Sequence, residues 1–347
     1  MGRHSKENLI HLPETYGIKK GAEEFPFMVV IAVTYVCNAR CPHCPYTQSA
    51  IRQSYKDTPF IAPELFKKIA DECGHHHAYM RISGGGEPLL HPQMIDLIEY
   101  ARGAGARVGL ITNGSLLTPE KTERLLAANT DAIEISADAA DRETYTRIRV
   151  GLDFDKLVGN VRYLVDRRNK AKSTTKVIAS IVNQRSVADK LESIVAFWKD
   201  FVDDVQVRKY LTWGIGDPEE SGDPTPYIPE LDDRVPCPFP FERLNIDSRG
   251  KIEFCGYDIA GETNFGNVGK TSIKSIWQGE KFNQWRQLLL AGRYEEIDIC
   301  RKCPDWRYRS WNYNYWNVLS KAERKRASQL HVKKQEIGGA VTILSDE

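Results

Sequence analysis

Seven of the eight cysteines fall into two groups whose spacing could bind a metal centre. The first group, Cys37, Cys41 and Cys44, directly follows an apolar run that is typical of a buried strand. A structural zinc site is closed by four protein ligands, whereas a [4Fe–4S] cluster held by three cysteines keeps one iron open. Because an open iron can bind a small molecule, this group favours a reactive cluster over a structural zinc site.

The second group contains four cysteines from three segments of the chain. Cys237, Cys255, Cys300 and Cys303 are separated by 17, 44 and two residues. Four thiolates can close a zinc site or fill every position of a second [4Fe–4S] cluster, and the spacing alone leaves both open. The remaining cysteine, Cys73, lies near the end of a predicted helix, where we expect a small buried residue away from the chemistry.

Strand-like and helix-like patterns alternate over residues 27–208 and must position these groups. Such alternation predicts parallel βαβ units. Six repeats predict an α/β fold, a partial (β/α)6 barrel of the TIM type. The predicted strands are 28–36, 79–83, 107–112, 132–137, 177–182 and 204–208, and the predicted helices are 63–72, 92–103, 119–128, 154–169 and 186–199.

Polar residues stand where the predicted strands end. In barrels of this type the chemistry gathers at the C-terminal ends of the strands. Those ends carry the first cysteine group, the glycine-rich segment 83–88, and Asn113, Ser136, Asp138 and Asn183. Glycines let the backbone approach a ligand closely, whereas lone polar residues at strand ends are often helix caps. We therefore expect these groups to face one mouth of the barrel.

Cys37-x3-Cys41-x2-Cys44 after the first strand, with the glycine-rich segment after the second, resembles the radical S-adenosylmethionine (SAM) superfamily. This resemblance implies that SAM chelates the open iron and, on one-electron reduction, gives a 5′-deoxyadenosyl radical that abstracts hydrogen from a substrate. It also implies SAM contacts, with the amino group at Gly85, Gly86 and Glu87, the ribose at Ser136, Asp138 and Asn113, and the adenine at Tyr46.

The second cysteine group, with Gly250 five residues before its second member, resembles the start of the SPASM extension of radical SAM enzymes. Arg309 stands where the full motif has its next cysteine, which matches the shortened twitch version. The spacing is similar to that of radical SAM dehydrogenases that act on 2-deoxy-scyllo-inosamine in butirosin biosynthesis. The resemblance implies two [4Fe–4S] clusters, one that binds SAM and one auxiliary cluster in a small C-terminal iron–sulfur (twitch/SPASM) domain.

A fully ligated auxiliary cluster is suited to accept an electron rather than to bind substrate. The resemblance therefore favours oxidation of a secondary alcohol on a small polar substrate, such as an aminocyclitol or sugar of a natural product. Removal of the hydroxyl proton needs a base or a basic side chain, for which Arg208, Lys209 and Tyr210 at the end of the sixth strand are candidates. The expected partners are this substrate and a one-electron donor such as flavodoxin or ferredoxin.

Three other functions remain open from the sequence. The first is a redox-neutral enzyme that epimerises or rearranges a sugar. It would need a hydrogen donor, and Cys73 is poorly placed for that role. A peptide-modifying maturase is the second, although the 26 residues before the barrel are few for a peptide-recognition domain. The third is a non-catalytic zinc or iron–sulfur interaction module.

Composition and charge exclude some classes of protein. With 48 Lys and Arg against 47 Asp and Glu, the chain has a formal net charge of +1, which disfavours a nucleic-acid partner. No apolar run is long enough for a membrane span or a signal peptide, so we expect a cytoplasmic protein with reduced cysteines. The predicted organisation is an N-terminal extension 1–26, a barrel 27–212, a covering loop 213–236, an auxiliary-cluster domain 237–320 and a polar tail 321–347.

Overall fold

The computed structural model describes residues 21–47, 49–213, 216–222, 236–259 and 263–303. Most of the predicted extension 1–26 and of the covering loop 213–236 lies outside the described residues, as do Arg309 and the tail 321–347. All six predicted barrel strands form within the described part. The predicted α/β class is therefore confirmed.

One eight-stranded sheet organises the described part of the chain, with strands β1 (Met28–Ile31), β2 (Tyr79–Ile82), β3 (Arg107–Thr112), β4 (Ala132–Ser136), β5 (Lys176–Asn183), β6 (Asp204–Lys209), β7 (Arg243–Ile246) and β8 (Ile252–Glu253). The strand order is β6-β5-β4-β3-β2-β1-β7-β8. β1 to β6 are parallel neighbours in chain order, which confirms the predicted partial barrel. β7 lies parallel to β1, and β8 returns antiparallel to β7, so the C-terminal hairpin extends the barrel sheet.

Helices cover the outer face of the sheet. Thr118 caps the helix Pro119–Ala127, since its side chain accepts a hydrogen bond from the Lys121 N–H at 3.3 Å and Pro119 takes the first helical position. No helix of the described part is long and apolar enough to cross a membrane. The α-helices are Ser49–Ser54, Pro63–His75, Met94–Gly103, Pro119–Ala127, Arg142–Ile148, Phe154–Lys170, Leu191–Lys199, Phe239–Glu242, Ile273–Trp277, Glu280–Leu290 and Asp298–Arg301, with 3-10 turns at Pro45–Thr47, Pro88–Leu90, Arg185–Lys190, Pro218–Glu220 and Tyr294–Glu296.

The main hydrophobic core lies between this outer face and the helices. Alternate residues of a strand point to one face of a sheet, and here they include Val29, Met80 and Val108. They pack in one cluster with helix residues such as Phe66 and Trp198, and all five are fully buried. Each large apolar side chain buried in this way contributes roughly 1.5–3 kcal/mol. This core fixes the strands and therefore the loops that follow them.

The inner face is closed at the N-terminal ends of the strands by a small apolar layer. Met28, Tyr79, Ala132 and Ile178 form a separate buried cluster there. Gly109 makes room for it, because a Cβ atom at this position would lie 1.7 Å from the Tyr79 hydroxyl oxygen. The barrel is therefore filled at its base, and free space remains only nearer the C-terminal strand ends.

A layer of buried charge lies directly above this apolar layer. Glu134 on β4 accepts a hydrogen bond from Arg208 Nη2 at 2.6 Å and faces Arg81 Nη2 at 3.4 Å. Arg208 also donates to Ser180 Oγ at 2.7 Å and to Gln206 Oε1 at 3.0 Å. Burial alone would raise the pKa of Glu134, but the two guanidinium groups outweigh it and lower that pKa to about 2. The layer ties β2, β4, β5 and β6 together.

Some element boundaries differ from those predicted. The strand predicted over 28–36 ends at Ile31, and beyond it Thr34 forms an isolated bridge with Phe60. The helix predicted over 186–199 begins as a 3-10 turn and becomes α-helical at Leu191. The helix Arg142–Ile148 has no counterpart among the predicted helices.

Glu134→Gln is expected to destabilise the fold by about 3 kcal/mol, because it removes the buried carboxylate that balances two partly exposed guanidinium groups. The folded pKa of Glu134 lies below its ordinary value of 4.5. Its contribution is therefore fully present above about pH 4.5 and is lost as the pH falls towards about 2. Denaturant unfolding of the wild-type and Glu134→Gln proteins at pH 7 and pH 3 measures the difference in their free energies of unfolding. This difference should be smaller at pH 3.

Glu123→Gln is the matched control, since Glu123 forms an exposed ion pair with Arg167. Exposed ion pairs contribute little to stability, so its effect should be much smaller. An equal loss of stability in the two variants would contradict the role given to the buried layer.

Candidate active site

A cavity of about 450 Å³ opens at the C-terminal ends of the barrel strands. Its wall takes residues from the ends of all six barrel strands and from the C-terminal hairpin. Nearly all the residues predicted to bind SAM, to bind the first cluster or to act in catalysis line this cavity. The predicted residues that line it are Cys37, Cys41, Cys44, Tyr46, Gly85, Gly86, Glu87, Asn113, Ser136, Arg208, Lys209 and Tyr210.

The cysteine loop after β1 is held by backbone contacts. The Arg40 N–H donates to the Val150 carbonyl at 2.9 Å, which joins the loop to the segment after the helix Arg142–Ile148. Within the loop, the Ala39 N–H lies 3.4 Å from Cys37 Sγ. These contacts fix the loop while its three thiols line the cavity.

The glycine-rich turn after β2 packs against the backbone that leads into the cysteine loop. A Cβ atom on Gly85 would lie 2.4 Å from the Thr34 carbonyl oxygen, and one on Gly86 would lie 2.1 Å from that of Val36. The Glu87 N–H donates to the same Val36 carbonyl at 2.9 Å. Only glycine permits this approach without a shift of the backbone. The contact of this turn with the SAM amino group remains a prediction.

The Glu87 carboxylate locks the glycine turn to the end of β3. It accepts hydrogen bonds from Thr112 Oγ1 at 2.7 Å, from the Asn113 N–H at 2.7 Å and from the Leu89 N–H at 3.1 Å. Burial raises its pKa, and these donors act in the opposite direction. The carboxylate therefore holds two cavity-lining loops in register.

The remaining predicted SAM contacts differ in how they are held. Asn113 donates to Asn38 Oδ1 at 2.8 Å, and Asn38 donates to Ser115 Oγ at 2.9 Å, so Asn113 braces the cysteine loop. Ser136 and Tyr46 line the cavity. The ribose and adenine contacts of these residues remain predictions.

Asp138 lies behind the cavity wall rather than in it. It is fully buried, its Oδ1 accepts from the Val182 N–H at 2.7 Å, and its Oδ2 pairs with Arg149. Arg149 lines the cavity, and its Nη1 lies 3.6 Å from Cys41 Sγ. The predicted ribose contact of Asp138 is not supported by this placement, because its carboxylate is already engaged. Asp138 instead positions Arg149 beside Cys41.

Two wall residues near the first cluster, His43 and Arg149, were not predicted. His43 stands inside the cysteine motif, and its side chain is 11% exposed. Burial and the nearby Arg149 charge lower the pKa of His43 to about 4, so its ring is neutral at pH 7. The position of His43 between Cys41 and Cys44 was the available signal. Arg149 lies far along the chain, and no motif marks it.

The donor set of the cysteine loop fits an iron–sulfur cluster. All three thiols are free of disulfides, line one cavity and act electrostatically on one another. Arg149 places a cation beside one of the three sulfur atoms, since its Nη1 lies 3.6 Å from Cys41 Sγ. Within the described residues, no three Cys, His, Asp or Glu side chains converge closely enough to hold a single metal ion. The irons of a cluster are ligated separately, so its thiolates need not meet at one point.

The second cysteine group brings separate segments of the chain together. Cys255 follows β8 and Cys300 lies on a short helix, and both are buried. Tyr257 connects them, because its N–H lies 3.4 Å from Cys255 Sγ and its hydroxyl donates to the Lys302 carbonyl at 3.1 Å. Lys302 lies between Cys300 and Cys303. Four cysteines on these segments fit a fully ligated auxiliary cluster.

Residues beside this second group also line the cavity. Pro238 and Phe239 follow Cys237 directly, and Glu253 and Gly256 lie on either side of the group's second cysteine. The same cavity is therefore bounded by the first cysteine loop on one side and by neighbours of the auxiliary cysteines on another.

The three candidates for proton removal all line the cavity but differ in environment. Arg208 is held by Glu134 as part of the buried charge layer, so it is placed to stabilise negative charge rather than to accept a proton. Lys209 is exposed, and Tyr210 is 6% exposed. Their catalytic roles remain predictions.

Asn245 on β7 and Glu253 on β8 form a further part of the wall that was not predicted. Burial, with the charges of Asp247 and Asp258, raises the pKa of Glu253 well above its ordinary value. In the sequence, only their position as polar residues within short buried strands could have indicated a role. The same holds for Arg81 and Glu134.

Comparison with known proteins divides the chain in the same way. Residues 31–193 match the radical SAM superfamily. Residues 237–304 match SPASM, an iron–sulfur cluster-binding domain. The two matches contain the first and second cysteine groups respectively.

Individual relatives match different lengths of the chain. The AdoMet-dependent heme synthase of Methanosarcina barkeri is 36% identical over 124 residues, covering 36% of this chain and 34% of that protein, or about a third of its length. Mycofactocin maturase MftC of Mycolicibacterium smegmatis is 25% identical over 316 residues, covering 80% of this chain and 77% of that protein. A crystal structure of BtrN in complex with AdoMet and 2-DOIA has a TM-score of 0.52 at 19% identity, covering 80% of this chain and 92% of that chain, and supports the fold.

Gly86→Ala is expected to destabilise the protein by about 1–3 kcal/mol and to lower its iron content after reconstitution, because the new methyl group would displace the backbone at Val36. Gly159→Ala is the control, since Gly159 is an exposed residue of the helix Phe154–Lys170 with open space where a Cβ atom would lie. This substitution should raise the free energy of unfolding by up to about 1 kcal/mol. Thermal unfolding and iron analysis measure both effects. A Gly86→Ala protein with normal stability and iron would refute the close-packing argument.

Proposed function

The chain contains a radical SAM domain and a SPASM domain, and from this premise we propose that it oxidises a secondary alcohol on a small polar substrate. A radical SAM domain binds SAM and a [4Fe–4S] cluster, and a SPASM domain binds auxiliary iron–sulfur clusters. The alcohol oxidation is the part that goes beyond the two domains.

One observation carries the proposal: a single cavity is lined by the first cysteine group and by residues close to two cysteines of the second group. Its wall holds Cys37, Cys41 and Cys44, and it also holds the residues directly beside Cys237 and Cys255. A substrate in this cavity would lie between a site that removes a hydrogen atom and a site that accepts an electron. This arrangement suits a reaction in which the substrate loses both.

When bound, SAM and the first cluster supply a hydrogen-abstracting radical, and the auxiliary cluster supplies an electron acceptor. One electron enters the reaction when SAM is cleaved. The substrate then loses a hydrogen atom from carbon, a proton from oxygen and one electron, and becomes a ketone. The chain contributes the geometry and the route for the proton.

The charge layer sets the electrostatics at the floor of the cavity. Two guanidinium groups face one carboxylate there, so the layer carries net positive charge beneath the substrate. Positive charge stabilises an alkoxide as the hydroxyl proton leaves. Arg208 would act in this way, while Lys209 or Tyr210, at the same strand end, would take the proton.

A redox-neutral epimerisation is less well supported. It needs a donor that returns a hydrogen atom to carbon, and thiols commonly serve. Cys73, the cysteine outside both groups, lies on the buried face of the helix Pro63–His75 and does not line the cavity.

Modification of a peptide is the second candidate function. The alignment to a mycofactocin maturase over 80% of this chain favours it. The polar side chains in the cavity wall, such as Arg208, Asn245 and Glu253, favour a small polar molecule.

Incubation of the reduced enzyme and SAM in deuterated water with aminocyclitols, sugars and precursor-type peptides, read by mass spectrometry, tests the proposal. Loss of two hydrogens from an alcohol is the expected result. An unchanged formula with one deuterium gained at carbon would show epimerisation instead, and a mass change confined to the peptides would favour the maturase function.

Cys255→Ala is expected to leave reductive cleavage of SAM intact while substrate oxidation falls below detection, because it removes a ligand of the electron-accepting site. Cys73→Ala is the control and should retain both reactions. The amounts of 5′-deoxyadenosine and of oxidised product measure the two steps. Normal product formation by Cys255→Ala would remove the auxiliary cluster from the mechanism.

A further inference from the structure

Two neighbouring polar side chains on the C-terminal hairpin face the cavity. Asn245 on β7 pairs with Glu253 on β8 in the antiparallel ladder, so their side chains share one face of the sheet. Both line the cavity, although Asn245 is only 7% and Glu253 only 6% exposed. β7 also pairs with β1, where Val30 is the partner of Asn245, so this face continues the inner wall of the barrel.

The Asn245 amide is a buried donor that the protein does not use. Its Nδ2 atom has no hydrogen-bond partner within the described part of the chain. A buried polar group left unpaired costs about 1–3 kcal/mol, so such groups in a cavity wall mark a place where a ligand completes the bonding. The group it lacks is an acceptor, such as a hydroxyl oxygen.

Glu253 is buried and forms no ion pair within the described part of the chain. The Tyr55 hydroxyl lies 3.5 Å from its Oε1, at the outer limit of a hydrogen bond. Arg249, a cation on the same hairpin, is engaged by Asp247 at 3.0 Å. A buried carboxyl group is stabilised by a positively charged partner, which a ligand amine can supply.

We propose that Asn245 and Glu253 together recognise a primary amine and a neighbouring hydroxyl group on the substrate. The ammonium group donates to Glu253, and the hydroxyl oxygen accepts from Asn245. This rests on the proposed function and assigns its substrate to the small amino alcohols, such as an aminocyclitol or an amino sugar. The pair thus determines specificity. It lies close to the charge layer, because Val30 on β1 is the register partner of both Arg81 and Asn245.

Equilibrium binding to the reconstituted, SAM-loaded enzyme under anaerobic conditions tests this inference. The probes are 2-deoxy-scyllo-inosamine and the analogue in which a hydroxyl replaces the amine. The wild-type enzyme should bind the amine at least roughly tenfold more tightly. Glu253→Gln should abolish this preference, whereas Asn245→Ala should weaken both probes. Glu295→Gln, an exposed acid of the same domain, should change neither affinity.

Equal binding of the two probes to the wild-type enzyme, or no binding of either, would overturn the inference, and neither measurement depends on a variant that must fold. A preference that survives in a folded, iron-replete Glu253→Gln protein would overturn it too. Formation of 5′-deoxyadenosine by the wild-type enzyme and dithionite is measured in parallel. Its absence would count against the proposed function, whereas its presence with no amine preference would count against the inference alone.

Discussion

The buried pairing of Glu134 with Arg81 and Arg208 is the interaction on which the cavity depends. A buried carboxylate must be balanced by nearby positive charge, and the three side chains come from three different strands. Below them the barrel is filled by an apolar cluster, and above them lies the open cavity. The layer therefore sets both the floor of the site and the sign of its charge.

The loops above this floor are held by one another rather than by the core. Glu87 joins the turn after β2 to the end of β3, Asn113 joins β3 to the cysteine loop, and Asp138 holds Arg149 beside Cys41. Several residues predicted to touch SAM thus carry structural hydrogen bonds as well. A substitution at one of them would disturb the cluster loop along with any contact to SAM.

Much of the fold and the metal chemistry could be predicted from the sequence, because strand and helix periods are local and cysteine spacing is read directly. The six barrel strands and the cap at Thr118 are of this kind. Contacts between distant segments could not be predicted. Arg149 lies beside Cys41 only after folding, and Asp138, a polar residue at a strand end like Ser136, turns away from the cavity to pair with it. The place of Asn245 and Glu253 in the cavity wall could not be predicted, because no local sequence pattern shows that β7 pairs with β1.

That β1–β7 pairing has a consequence for the order of folding. Met28 pairs with Arg243, 215 positions later in the chain, so the first barrel strand keeps an open edge until the C-terminal domain has been made. Contacts between residues so far apart form slowly, and an unpaired strand edge is prone to association with other chains. The protein should therefore depend on its own C-terminal domain for solubility during synthesis, and fragments that end before β7 should aggregate even though their barrel sequence is complete.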